Sequence, residues 1–108
     1  MKHPYSNLVV VDELTPDQGS RLDIRWIGST NQLVIRLNRM FPNDSSTVRV
    51  HVSDRNGKLV SVAQFYDAPP ERSVFELPLD PLLPLGVYYV AVFEKDEWAG
   101  VKGVVFGK

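Results

Sequence analysis

The chain has 108 residues, a formal net charge of −1 from 12 basic and 13 acidic side chains, and no cysteine. The length fits a single domain over residues 1–108, and the balanced, dispersed charge lacks the clustered Lys and Arg of a nucleic-acid-binding surface. Without cysteine there can be no disulfide, thiolate metal site or cysteine nucleophile.

The N-terminal segment has an apolar run of only four residues, Leu8–Val11. A secretory leader needs roughly 7–15 apolar residues, and a membrane-spanning helix needs about 20. We therefore expect a chain made in the cytoplasm without a leader or membrane insertion, with a first strand at Leu8–Val11. His3 and a free terminal amine could together bind Cu(II) or Ni(II), but a histidine arises at that position by chance, and we expect no cofactor and no metal.

Apolar residues occupy every second position through most of the chain, which is typical of half-buried antiparallel strands. No segment keeps the helical period of about 3.6 residues over three turns, so we expect essentially no helix. The sequence predicts an all-β antiparallel sandwich of seven to eight strands. After Leu8–Val11, the predicted strands lie near residues 22–26, 32–40, 48–52, 59–65, 74–79, 87–94 and 101–106.

The turn Asp54–Lys58 allows two registers for the hairpin around it. A two-residue Asn-Gly turn would place Val52 opposite Ser61 and Val50 opposite Ala63. A three-residue loop with Gly57 in a left-handed bulge would instead place Val52 opposite Val60 and Val50 opposite Val62. We favour the bulged turn, because it aligns four valines on one face.

The loop between the last two predicted strands, Lys95–Gly100, is the most distinctive one. A tryptophan among charged residues is a good anchor for a partner surface, and Trp98 could equally fold back over an end of the sandwich. The predicted binding residues are Trp98, Asp96, Glu97 and Lys95.

The remaining polar residues give no catalytic constellation. His51 shares a strand face with Ser53, but successive residues on one face stand about 7 Å apart and nothing in the pattern orients the imidazole. The acidic side chains at the strand ends, Glu94 among them, are expected to be solvated loop charges. We therefore expect a protein that is not an enzyme, and we place Trp26 in the core beside Leu22 and Ile24.

The segment Leu82-Leu-Pro-Leu-Gly-Val-Tyr88, followed by an alternating strand, resembles the corner of immunoglobulin-like sandwiches. With Leu22-x-Ile-x-Trp26, it is similar to the fibronectin type III group, and the C-terminal part also resembles bacterial immunoglobulin-like modules. That resemblance implies that Trp26 is the core tryptophan of the second strand and Tyr88 the corner tyrosine. The segment Gln32–Met40 departs from it as an extra strand.

The resemblance implies adhesion, spacing or assembly, with no inherited catalytic residue. The expected function is a structural or interaction module that attaches to protein partners in a larger assembly, such as a phage virion or bacterial appendage. The alternative is a carbohydrate-binding module, in which Trp98 with Tyr89 or Tyr66 would form a stacking platform.

Overall fold

The computed structural model describes residues 22–107, and every regular element in this range is a strand. The strands are β1 (Leu22–Ile27), β2 (Gln32–Leu37), β3 (Ser46–Asp54), β4 (Leu59–Ala68), β5 (Val74–Pro78), β6 (Gly86–Glu94) and β7 (Glu97–Phe106). Within the described range there is no helix, as the sequence predicts. The predicted strand Leu8–Val11 and the His3 motif lie outside the described residues.

The strands form two antiparallel sheets, one with the order β1-β2-β5 and one with the order β4-β3-β6-β7. Since β5 and β6 belong to different sheets, the chain changes sheets between them, where the Leu82–Tyr88 corner is predicted. The all-β sandwich is thereby confirmed. The segment Gln32–Leu37 is the central strand of the smaller sheet, paired on both sides, rather than an addition to it.

The core lies between the sheets and is built from alternate residues of each strand. Its largest fully buried apolar side chains come from both sheets and are Leu22, Leu33, Ile35, Leu37, Val48, Val50, Val52, Phe75, Val90 and Val92. The inward placement of Phe75, Leu77 and Leu79 agrees with the sequence pattern.

Three stacked aromatic rings close the core at what we call the aromatic end. The Phe106 ring lies between Tyr88 and Trp26, with centroid separations of 4.2 Å and 4.4 Å. The Trp26 indole donates a hydrogen bond to the Gly107 carbonyl at 2.7 Å, and the Tyr88 hydroxyl donates to the Pro84 carbonyl. Tyr88 is thereby tied to backbone four residues earlier, which is the contact expected of a corner tyrosine. Trp26 packs against the core although it is only partly buried.

The hairpin between β3 and β4 combines features of both predicted registers. Gly57 is left-handed, with φ of 86°, and the Asp54 amide donates to the Lys58 carbonyl, as in the three-residue loop. A further irregularity between Val52 and Ser53 then shifts the pairing. The predicted opposition of Val52 with Val60 and of Val50 with Val62 is wrong.

The observed partners are Ser61 for Val52 and Ala63 for Val50. This second bulge turns Val60, Ala63 and Phe65 toward the core and leaves Val62 on the outer face. Phe65 stacks obliquely on Phe75 of the other sheet at 5.1 Å, so the shift buries an aromatic ring that the valine register would have exposed.

Candidate functional site

The predicted binding loop is shorter in the structure than in the sequence analysis. Glu94 pairs with Glu97, so Lys95 and Asp96 alone form the turn between β6 and β7. Both have positive φ, 55° and 64°, the left-handed pair that a tight two-residue hairpin requires. The expectation of a loop through Gly100 is wrong, because β7 begins at Glu97 instead of Val101.

A bulge at the start of β7 determines which way Trp98 points. Val92 pairs with Gly100 whereas Phe93 pairs with Trp98, so Ala99 is the extra residue. Ala99 and Gly100 are both buried, and Trp98 lies on the outer face of the larger sheet with 45% of its surface exposed. Without the bulge Trp98 would share the inward face of the buried Glu94. Trp98 therefore belongs to a strand, not to a loop.

Trp98 is part of a small mixed surface on this outer face. Phe93 is its cross-strand partner on β6, and Arg49 is the next residue across on β3. The Arg49 guanidinium lies 5.2 Å from the Phe93 ring centroid, and the His51 ring lies 5.1 Å from the same centroid. We call Trp98, Phe93, Arg49, His51 and Asp96 the Trp98 patch.

Asp96 holds Arg49 in place on this surface. Its carboxylate accepts a hydrogen bond from Arg49 Nη1 at 3.0 Å. Arg49 Nε is buried and makes no hydrogen bond within the described part of the chain. A buried donor without an acceptor is uncommon in a native fold.

The other two predicted residues flank the Trp98 patch. Lys95 Nζ lies 3.4 Å from the Asp44 carboxylate and 4.7 Å from the Phe41 ring centroid, which connects the turn to the loop before β3. Glu97 is exposed at the first position of β7. The four predicted residues are thus neighbours, and only Trp98 and Asp96 belong to the patch itself.

Besides His51, which it considered only as a catalytic residue, sequence analysis missed two members of the patch, Arg49 and Phe93. Both occupy outward positions of predicted strands, where a polar residue is expected, so Phe93 interrupts the pattern. An apolar aromatic at an outward strand position was the available signal. This signal identifies Phe93 as part of a binding surface only when Trp98 is known to lie directly opposite Phe93.

A buried ion pair lies directly before the Lys95–Asp96 turn, and the sequence pattern does not predict it. Glu94, expected to be a solvated charge, is fully buried, and its carboxylate lies 2.8 Å from Arg39 Nε, whose side chain is only 4% exposed. The Met40 amide donates to Glu94 Oε1 at 2.7 Å, and the Ser46 hydroxyl donates to Oε2 at 2.9 Å. We call this the polar end of the core.

Arg39 uses its remaining donors to connect strands and loops. It donates to the Ser46 hydroxyl and to the carbonyls of Pro69, Arg72 and Ala68. One side chain after β2 thus holds the start of β3, the end of β4 and the end of β6 together. Because its planar fork has donors on three nitrogens, no other residue type could make this set of bonds.

The pKa of Glu94 reflects a competition at this site. Burial alone would raise it, but the hydrogen bonds from Met40, Arg39 and Ser46, together with the positive charge of Arg39, outweigh burial and hold the pKa below its ordinary value of 4.5. The ionised form of Glu94 is therefore favoured, and its negative charge is paired with Arg39.

The structure does not bring the predicted stacking platform together. Tyr89 lies on the same face as Trp98 but two rows away, opposite Gly103, so the two rings are separated by about 14 Å along the strands. Tyr66 is 70% exposed but lies on β4, at the far edge of the sheet. The aromatic ring that neighbours Trp98 is Phe93.

Two further findings concern the described residues. Residues 22–107 contain no group of three His, Asp or Glu side chains arranged to hold a metal ion. Over the same range, no helix is long and apolar enough to cross a membrane.

No known protein family matches the chain, and no curated protein matches it significantly in sequence.

Proposed function

We propose that this chain is a non-enzymatic interaction module that binds a protein partner through the Trp98 patch. The main observation in support is the pairing of a 45% exposed tryptophan with Phe93 and Arg49 on an outward sheet face that no described residue covers. Tryptophan and arginine are the residue types most enriched among those that dominate binding energy at protein interfaces.

The geometry of the patch favours a preorganised surface. Phe93 is flanked by Arg49 and His51, which restricts the freedom that its ring can lose on binding. The exposed ion pair between Asp96 and Arg49 adds little to this. The two-residue turn, with both residues left-handed, keeps the edge of the patch fixed.

The proposed architecture is that of a fibronectin type III-like domain within the immunoglobulin-like group. A corner tyrosine marks the start of strand F in that group, which makes β6 equivalent to F and β7 to G. The sheet β1-β2-β5 then corresponds to A-B-E, and β3-β6-β7 corresponds to C-F-G. In this assignment Trp26 lies on strand A, and not on the second strand that the resemblance implies for it. β4 extends the second sheet beside β3, whereas immunoglobulin constant domains place their fourth strand in the first sheet. Such modules serve adhesion, spacing and assembly, and a phage virion or bacterial appendage is the proposed setting.

The test is whether the chain travels in a large particle through Trp98. Tagged wild-type chain would be added to an extract of its source organism and fractionated by size. We expect co-migration with a large assembly and at least about a 10-fold loss of it for Trp98→Ala, since a central anchor contributes roughly 2 kcal/mol or more.

Val105→Ala provides a matched control, because Val105 is also an exposed apolar residue of β7, with 61% of its surface accessible, and lies outside the patch. Its co-migration should equal that of wild type. Free wild-type chain in every fraction would contradict the proposal. Binding of a glycan array that depends on Trp98 would favour the carbohydrate alternative, for which the exposure of Trp98 is the supporting observation.

A further inference from the structure

The two edges of the larger sheet differ in how they are protected against pairing with another strand. β7 includes Glu97 and Lys102, and Lys102 lies opposite the fully buried Val90, so a charge occupies an inward position of this edge. Inward charges and edge lysines are devices by which natural sheets prevent edge-to-edge association. β4 has neither: from Leu59 to Tyr66 it contains no charged residue and no proline.

We propose that β4 is a self-association edge, at which two copies of this chain pair antiparallel around a two-fold axis to form one continuous eight-stranded sheet. This surface adjoins the Trp98 patch, since Val62 and Gln64 of β4 are the cross-strand partners of His51 and Arg49. Trp98 itself lies on β7, at the opposite edge of the sheet. No strand within residues 22–107 pairs with the outer side of β4. The unpaired backbone of such an edge strand supplies the hydrogen bonds for an added strand.

The sequence of β4 is self-complementary in one register. With the axis at Gln64, Val62 of each copy lies opposite Tyr66 of the other, and Ala63 lies opposite Phe65. Val62 and Tyr66 are 47% and 70% exposed in the single chain, so the pairing covers both. Each opposition joins residues on the same face, and an aromatic residue opposite a β-branched one is a favourable cross-strand pair.

The flanking charges fit the same arrangement. Lys58 precedes the uncharged stretch and Asp67 follows it. In the antiparallel pair with its axis at Gln64, Asp67 of one copy lies opposite Ser61 of the other, three residues or about 10 Å along the strand from Lys58, so opposite charges lie near each other at both ends. A parallel arrangement would bring like charges together.

The length of the paired segment indicates a weak dimer. The pairing of β4 with β3 is unbroken only from Ser61 to Phe65, with register shifts on both sides. A contact of about five residues buries less than the roughly 1,200–2,000 Å² of a stable interface. Association should therefore depend on concentration in the micromolar to millimolar range, as measured by sedimentation of the full chain.

The absence of cysteine allows a direct test of the axis. Gln64→Cys would place the two thiols opposite each other, and under mild oxidation it should form a disulfide-linked dimer about 10-fold faster than Val105→Cys on the other edge, because pairing raises the local thiol concentration. Val62→Cys alone should not crosslink, since the two Val62 positions would lie about 13 Å apart. Mixed with Tyr66→Cys, it should give the heterodimer.

The outcomes separate clearly. Concentration-dependent sedimentation with fast crosslinking at 64 and none at 62 alone would support the proposal. A monomer up to millimolar concentration would overturn it and leave the β4 edge to a strand of a different protein. Crosslinking of Val62→Cys as fast as Gln64→Cys would also overturn it. Trp98→Ala should leave the dimer intact, so failure of the proposed function would be distinguishable from failure of self-association.

Discussion

At the aromatic end of the sandwich, the core is closed by Trp26, Phe106 and Tyr88, whose rings stack and whose polar atoms reach nearby carbonyls. At the polar end, it is closed by the ion pair of Arg39 and Glu94 and its hydrogen bonds. β6 connects the two ends, since Tyr88 lies near its start and Glu94 at its last position. β6 therefore begins beside stacked aromatic rings and ends in a buried ion pair.

The two ends differ in how they respond to the loss of a side chain. Loss of a ring leaves a cavity whose cost depends on how far the surroundings collapse. Loss of one member of a buried ion pair leaves a desolvated charge that no collapse can remove. The polar end also positions the turn below the Trp98 patch, because Glu94 immediately precedes Lys95 and Asp96. Stability and the proposed binding surface are therefore linked at the polar end.

Glu94→Ala is expected to have the largest effect on stability. It would leave Arg39 buried without its carboxylate, which typically costs about 3–5 kcal/mol. Urea unfolding followed by tryptophan fluorescence would measure the change in the free energy of unfolding. Glu76→Ala is the control, because Glu76 is an exposed glutamate of β5, and its effect should remain within about 0.5 kcal/mol. Equal effects of the two variants would show that the polar end is not a stabilising unit.

The two ends also differ in how far they follow from sequence. The alternating pattern of β1 is enough to predict that Trp26 packs against the core. The corner role of Tyr88 is implied by the resemblance of Leu82–Tyr88 to a sandwich corner. Glu94 and Arg39 are 55 residues apart, and each has the spacing of an ordinary surface charge. Their burial depends on the way three strand ends meet, which local pattern does not specify.

The predicted site shows the same limit. The neighbourhood of Lys95, Asp96, Glu97 and Trp98 follows from chain order. The single extra residue Ala99, which turns Trp98 outward and opposite Phe93, does not. A bulge changes the face of every residue beyond it, and its position is decided by packing across the sheets. The predicted valine register of the β3–β4 hairpin is wrong for the same reason, because the position of its second bulge also depends on packing across the sheets.

Acid should weaken the polar end selectively. The folded-state pKa of Glu94 lies below its ordinary value of 4.5, so its contribution is complete above that value and is lost as the pH falls through the folded-state pKa. The loss should be smaller than that of Glu94→Ala, because a protonated carboxyl still fills the site. Urea unfolding between pH 6 and 3, roughly the range in which carboxyls titrate, would measure it. Glu94→Gln should show a shallower decline than wild type, and an identical decline would contradict the linkage.

Tyr88→Phe should have the smallest effect, since it removes one hydroxyl and keeps the ring between the sheets. The lost hydrogen bond to the Pro84 carbonyl should cost about 1 kcal/mol in the free energy of unfolding, because Pro84 is exposed and water can replace the donor. Tyr89→Phe, at the adjacent position on the outer face, is the matched control and should have no measurable effect. A loss for Tyr88→Phe as large as for Glu94→Ala would mean that the corner bond, rather than ring packing, closes the aromatic end, and that both ends depend on a single polar contact.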